Sequence, residues 1–127
     1  MAIPLTFVFC LLLAEPRQLT VDEARDTVLV AAGPHNHGLS FVPYDNPALS
    51  AYYLFQGLRN APAGASGNVG FFAVDRLTGD VWNAVVCDEY KSPTLVRCQR
   101  TLRKRIGLTD AKYRTLRRSG PMCESTL

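Results

Sequence analysis

The segment between residues 69 and 87 constrains the fold of this chain most strongly. Two runs rich in apolar and β-branched residues, Val69–Asp75 and Asp80–Cys87, flank the four residues Arg76-Leu77-Thr78-Gly79. A four-residue connection with glycine near its end is typical of a hairpin built on a type I turn and a left-handed residue. Asp75 can cap this turn through its side chain. We therefore predict an antiparallel hairpin at the centre of a sheet.

The residues after Thr20 have the pattern of an N-terminal helix. Thr20 is a suitable N-cap, and Glu23 three residues later completes a capping box. Apolar residues then recur at helical spacing until Gly33-Pro34, which ends the helix.

The chain between this helix and the hairpin is harder to interpret. Residues 33–49 are rich in Pro, Gly and Asn and indicate a loop with a short extended piece at 40–42. The aromatic-rich residues 50–56 are typical of a strand. A helix that begins at Pro47 is the alternative. Residues 60–67 indicate another loop.

The last third of the chain is predicted to be helical. Ser92 is a suitable cap for a helix with Pro93 in its first position, and Gly107 ends it. A second, short helix is expected from Thr109 or Asp110 through Leu116. With the preceding elements, this predicts an α+β fold: an N-terminal helix, an antiparallel sheet of about three or four strands with a central hairpin, and two C-terminal helices.

The first 14 residues suggest export. The apolar run from Leu5 to Ala14 has ten residues, whereas a membrane-spanning helix needs ~20. Its length and the small residue Ala14 are typical of a signal peptide, so we predict a signal peptide at 1–14 and one domain at 15–127. No stable membrane span is expected. A buried N-terminal strand or helix is the alternative.

Cysteine usage agrees with an oxidising compartment. Cys10 would leave with the signal peptide, so that Cys87, Cys98 and Cys123 remain. Small exported domains often use disulfides to supplement a small core. A bridge between Cys87 and Cys98 would fasten the C-terminal helix to the hairpin. A Cys98–Cys123 bridge and a pair of free thiols are the alternatives.

Charge is divided unevenly along the chain. Between Arg97 and Arg118 there are nine basic residues and one acidic residue, a net charge of +8, so the rest of a chain whose total is +3 carries −5. A solvated helix face is one interpretation, and a docking surface for a protein with an acidic surface is the other. The basic residues predicted to bind such a partner are Arg97, Arg100, Arg103, Lys104, Arg105, Arg114, Arg117 and Arg118.

The two basic helices also permit a helix-turn-helix interpretation. Their short connection at 107–109 would direct Arg114, Arg117 and Arg118 toward phosphates or base edges. An exported protein encounters little DNA, so protein binding is preferred and no nucleic-acid partner is expected. Among aromatic residues, Tyr52 and Trp82 are the candidate anchors for a protein partner if one sheet face is open.

The sequence offers little support for catalysis. His35-Asn36-His37 is the only histidine pair, and a metal would need at least one further ligand. Within a Gly/Pro-rich loop, solvent-exposed imidazoles are the ordinary interpretation. No catalytic triad order, zinc-protease motif or phosphate-binding glycine loop is visible. We predict no enzyme activity, cofactor or metal; a small hydrolase or ligand-binding domain that uses His35 and His37 is the alternative.

The hairpin region carries a family resemblance. Residues Phe72-Ala73-Val74-Asp75-Arg76-Leu77-Thr78-Gly79-Asp80-Val81-Trp82 resemble the V-D-x-x-T-G-x-V hairpin of PepSY-like and cystatin-like periplasmic domains. The chain also resembles small exported bacterial immunity and inhibitor proteins. This resemblance implies a non-catalytic periplasmic or secreted binding protein that occludes a secreted toxin or cell-wall hydrolase.

Overall fold

The computed structural model describes residues 15–34, 38–59 and 67–121. The predicted signal peptide at 1–14 lies outside these residues. Within the described ranges, four strands form one antiparallel sheet in the order β1-β2-β3-β4, and three helices accompany it, which confirms the predicted α+β fold. The elements in chain order are α1 (Val21–Ala31), β1 (Leu39–Tyr44), β2 (Tyr52–Arg59), β3 (Asn68–Asp75), β4 (Val81–Asn83), α2 (Pro93–Ile106) and α3 (Asp110–Leu116).

The capping box predicted for α1 is present. The Glu23 N–H donates to Thr20 Oγ1 at 3.1 Å, and the Thr20 N–H donates to Glu23 Oε1 at 2.9 Å. Arg17 Nη1 also donates to Glu23 Oε1, at 2.7 Å. This hydrogen bond from Arg17 is the main reason that the pKa of Glu23 falls to about 2. Helix α1 therefore begins where the sequence predicts.

Strand β2 resolves the ambiguity at residues 50–56 in favour of a strand. A 3-10 turn at Pro47–Leu49 precedes it, and β2 pairs with β1 on one side and β3 on the other. A strand in the middle of a sheet satisfies its backbone groups on both sides, and successive side chains point to opposite faces. Pairing with both neighbours excludes the helical alternative.

The hairpin turn has the predicted geometry. The Asp75 N–H donates to the Asp80 carbonyl at 2.9 Å, and Gly79 has φ +77°. Asp75 Oδ1 accepts from the N–H groups of Leu77 and Thr78 at 2.8 and 3.2 Å, so its side chain caps the turn as expected.

Strand β4 ends four residues earlier than the predicted Cys87. Asn83 Oδ1 accepts from the N–H groups of Val85 and Val86 at 2.8 and 3.2 Å, which turns the chain away from β3. The chain then returns along the outer edge of β4, where the Tyr90 N–H donates to the Val81 carbonyl at 2.9 Å. A local side-chain hydrogen bond thus overrides the β propensity of the two valines.

Both faces of the sheet are covered. One face packs against the helices through a core that includes Phe55, Val74, Val81 and Leu95, all fully buried. The other face carries a smaller cluster of four buried residues. Its members are Tyr52, Leu54, Ala73 and Trp82.

Candidate protein-interaction surface

Helix α2 is attached to the hairpin through the turn. Its buried residue Gln99 donates from Nε2 to the Gly79 carbonyl at 2.9 Å. One helical turn later Arg103, also buried, donates from Nη1 to the Thr78 carbonyl at 3.4 Å. These contacts give hydrogen-bond donors to two turn carbonyls that would otherwise be buried without partners. They also fix the position of α2 relative to the sheet.

Helix α3 is attached through Asp80. This carboxylate is 4% exposed, and it accepts from Thr78 Oγ1 at 3.0 Å and from the Tyr113 hydroxyl at 2.8 Å. Burial raises the pKa of Asp80, although both hydroxyl donors oppose the shift. Burial and the hydrogen bond to Asp80 raise the pKa of Tyr113 to about 12. The hydrogen bond between Asp80 and Tyr113 therefore connects α3 to the hairpin, and both side chains have a structural role.

Four of the eight predicted partner-binding residues have contacts inside the molecule. The guanidinium of Arg103 lies 3.9 Å from the centre of the Tyr113 ring. Arg105 lies 3.7 Å from Glu23, and Arg117 Nη2 contacts both Glu89 carboxylate oxygens at 2.6 Å. These contacts reduce the positive charge that is free to meet a partner.

Arg118 is the fourth of these residues. It lies at the sheet face that carries Tyr52 and Trp82, opposite the helices. Its Nε contacts Asp75 Oδ2 at 2.9 Å, and the Asp75 side chain is 1% exposed. The helix-turn-helix alternative directs Arg117 and Arg118 toward DNA. Both instead bind carboxylates of this chain.

The other four residues have no ion pair within the described residues, and all four are exposed. Three of them, Arg100, Lys104 and Arg114, line a groove of about 420 Å³ between α2 and α3, with Asp110 as its acidic residue. Leu108 and Tyr113 form its apolar wall. Arg97 lies elsewhere, in a groove between α1 and α2. Three of the four exposed basic residues without an ion pair therefore lie together. We call their site the basic groove, defined by Arg100, Lys104 and Arg114.

The predicted aromatic anchors are not exposed, and this prediction is wrong. Tyr52 and Trp82 are 7% and 8% exposed. The chain after α3 crosses this face: the Tyr52 hydroxyl donates to the Ser119 carbonyl at 2.7 Å, and Gly120 lies so close to the Trp82 ring that a Cβ there would collide with it. The open sheet face that the prediction requires is therefore covered by residues 118–121.

The predicted Cys87–Cys98 bridge is also wrong, because Cys98 carries a free thiol. Cys98 lies in the groove between α1 and α2, beside Asp26 and Thr27, whereas Cys87 lies in the exposed loop after β4. The rotation of α2 thus directs Cys98 toward α1. Burial raises the pKa of the Cys98 thiol. The alternative partner, Cys123, lies outside the described residues.

The remaining site predictions concern metals and membranes. His35 and His37 lie outside the described residues. Within residues 15–34, 38–59 and 67–121 no cluster of His, Cys, Asp and Glu has the arrangement of a metal site. None of the helices in the same ranges has the length and apolar character to span a membrane.

Sequence reasoning missed two residues that shape this surface. Tyr113 forms the wall of the basic groove and contacts both Asp80 and Arg103. Asp80 was named only as the first residue of the second predicted strand. The one available signal is an isolated aromatic residue in a short, highly charged helix, which suggests that one side of α3 is buried.

No protein-family model matches the chain, and no curated protein is significantly similar to it. Among solved structures, it is similar to a chain of a structure described as a type VI secretion system effector-immunity complex from Pseudomonas protegens. The two chains are 27% identical with a TM-score of 0.59, and the match covers 77% of this chain and 85% of that chain. The likeness therefore extends over most of both chains and includes sequence as well as fold.

Proposed function

We propose that this protein is an immunity protein that binds a secreted bacterial effector and blocks its activity. The observation that carries the proposal is the similarity to a chain of an effector-immunity complex over most of both chains. The immunity role is favoured over the effector role because the buried carboxylates serve structure. Asp75 caps the turn and pairs with Arg118, and Asp80 binds two hydroxyl groups.

The basic groove is the proposed recognition surface. Arg100, Lys104 and Arg114 have no ion-pair partner within the described residues, and they line one groove with Tyr113. Arginine and tyrosine are enriched among residues that dominate binding energy at interfaces. A positive groove selects partners by charge and accelerates association. The proposed partner is therefore an effector with an acidic surface, bound without turnover and without a cofactor.

The proposed location is the periplasm or the exterior of the cell. It rests on the signal-peptide pattern at residues 1–14. Mass spectrometry of the protein recovered from periplasmic extract should show a chain that begins near Glu15. Recovery of an intact Met1 from that extract would contradict cleavage.

Protection from toxicity tests the immunity role. A candidate effector from the genome that encodes this protein is expressed in the periplasm of a susceptible strain, with and without this protein. We expect growth to be restored when both are present, and we expect expression of this protein alone to leave growth unchanged. If this protein alone stops growth, it is the effector rather than the immunity protein.

A matched pair of charge-reversed variants tests the basic groove. Arg100→Glu with Lys104→Glu should weaken binding to the purified effector by about tenfold or more, mainly through slower association at low salt. Arg59→Glu with Arg97→Glu makes the same change in net charge outside the groove and should bind nearly as well as wild type. Equal losses in both double variants would mean that overall charge, rather than the groove, determines binding.

A further inference from the structure

A second recess lies apart from the basic groove. It has a volume of about 520 Å³ and opens between the start of α1, the β1–β2 connection and the hairpin turn. Its walls are rich in tyrosine, and the hairpin residue Arg76 supplies a positive charge. The wall residues used below are Val21, Pro43, Asp45, Asn46, Tyr53 and Arg76.

The guanidinium of Arg76 is held in a defined position. Its Cζ lies 4.2 Å from the centre of the Tyr53 ring, and the Tyr53 hydroxyl donates to the Leu19 carbonyl at 2.8 Å. The ring is therefore anchored to the segment that precedes α1, and the stacked guanidinium is oriented by it. A planar, pre-oriented guanidinium loses little conformational freedom when it binds a planar anion.

Arg76 also has unused hydrogen-bonding capacity. It forms no ion pair within the described residues, and its buried Nε has no hydrogen-bond partner there. Its sequence neighbour Asp75 is already paired with Arg118. Because Arg76 lines the recess and has no carboxylate partner in the described residues, an anion that enters the recess would be attracted to its guanidinium.

The rest of the wall limits what can enter. Asn46 Oδ1 accepts from the Ala48 N–H at 3.1 Å, which leaves the amide NH₂ of Asn46 as a further donor. Asp45 is the acidic residue of the wall and is exposed to solvent. An anion is therefore expected beside Arg76, away from Asp45. Val21 and Pro43 supply apolar surface in the same wall.

We propose that this recess binds a carboxylate that is attached to an aromatic or apolar group. Two N–H groups of Arg76 pair with the carboxylate oxygens, and the apolar wall residues Val21 and Pro43 contact the apolar part. Such a group can belong to an acidic residue of a bound protein segment or to a free small acid. The inference is independent of the proposed function, because none of the basic-groove residues lines the recess and its test needs no effector.

Titration of the full chain with small probes, followed by NMR, tests this site. The probes are phenylacetate as a free acid, the blocked peptide acetyl-Phe-Glu-Phe-amide as a protein-like segment, and phenylacetamide as the neutral analogue. We expect at least one carboxylate probe to shift the signals of residues 44–54 and 76, and to bind about tenfold more tightly than phenylacetamide. A tighter peptide indicates a protein source, and a tighter phenylacetate indicates a free acid.

Variants at Arg76 decide whether the site is the one proposed. Arg76→Gln should abolish the preference for carboxylate over amide, whereas Arg97→Gln, an exposed arginine in another groove, should retain it. Arg76→Lys keeps the charge without the planar fork and should show an intermediate preference. It replaces Arg76→Gln if that variant does not fold. Equal binding of acid and amide to wild type, or a preference that survives loss of the Arg76 side chain, would overturn the proposal.

Discussion

The two sides of the C-terminal helices use basic residues in opposite ways. On the inner side, Arg103 reaches the hairpin turn and stacks on Tyr113, and beyond the end of α3 Arg118 pairs with the buried Asp75. On the outer side, Arg100, Lys104 and Arg114 line a groove without ion pairs in the described structure. The inner contacts hold the fold together, and the outer residues, which have no ion pair in the described structure, form the proposed binding surface. Sequence charge alone therefore overstates the surface that is available for binding.

This comparison makes its strongest prediction at the inner carboxylate Asp75. Asp75→Ala removes the acceptor of two turn N–H groups and the partner of Arg118, so the free energy of unfolding should fall by about 3 kcal/mol. Urea denaturation measures the loss. The exposed Asp88→Ala serves as the control and should change stability by less than about 0.5 kcal/mol. Equal, small effects of both substitutions would erase the distinction between inner and outer charges.

The next effect concerns the hydroxyl that connects α3 to the hairpin. Tyr113→Phe removes a donor at 2.8 Å from the buried Asp80, and should lower the free energy of unfolding by about 1–2 kcal/mol. The pKa of Asp80 should rise further, since one of the donors that stabilise its charged form is lost. Denaturation and an NMR titration of the Asp80 carboxyl measure the two results. An unchanged pKa would show that the hydroxyl does not stabilise the carboxylate.

The start of α1 offers a smaller effect with a defined pH dependence. Glu23→Gln should lower the free energy of unfolding by about 1 kcal/mol at pH 7, because Gln cannot pair with Arg17. The folded pKa of Glu23, about 2, lies below the ordinary value of 4.5, so the charged form stabilises the folded state. This contribution is complete above pH 4.5 and declines as the pH falls toward 2. Denaturation at pH 7 and pH 2.5 should therefore give a smaller difference at the lower pH.

The smallest effect on stability is expected at the outer groove. Arg100→Ala removes an exposed side chain without an ion pair in the described residues, so the free energy of unfolding should change by less than about 0.5 kcal/mol. Association with the effector should nevertheless become slower. A stability loss comparable to that of Tyr113→Phe would place Arg100 among the inner, structural residues.

The distance along the chain between contacting residues explains why some predictions from sequence were correct and others were wrong. The hairpin, the helix caps at Thr20 and Ser92, and the helix end at Gly107 all depend on neighbours within a few residues. Such local preferences are visible in the sequence. The burial of Tyr52 and Trp82 depends on residues 118–121, which are more than thirty residues away from either. No local pattern encodes that contact.

The same reasoning explains the free thiol at Cys98. Its position in the first C-terminal helix was predicted correctly, but the direction of its side chain relative to Cys87 depends on how α2 packs against α1 and the turn. The V-D-x-x-T-G-x-V pattern behaves similarly. It identified the hairpin, whereas the similarity on which the proposed role rests covers 77% of the chain.

The sequence by itself determined the α+β class, the hairpin and its turn, and the basic character of the C-terminal helices. These properties follow from backbone preferences, hydrophobic periodicity and composition, all of which act over short distances. Only the tertiary structure decided which basic residues remain free. An arginine is held inside the molecule when a carboxylate, a carbonyl or an aromatic ring comes within a few ångströms. For Arg103, Arg117 and Arg118, those groups are brought close when α2, α3 and the segment after α3 pack against the sheet.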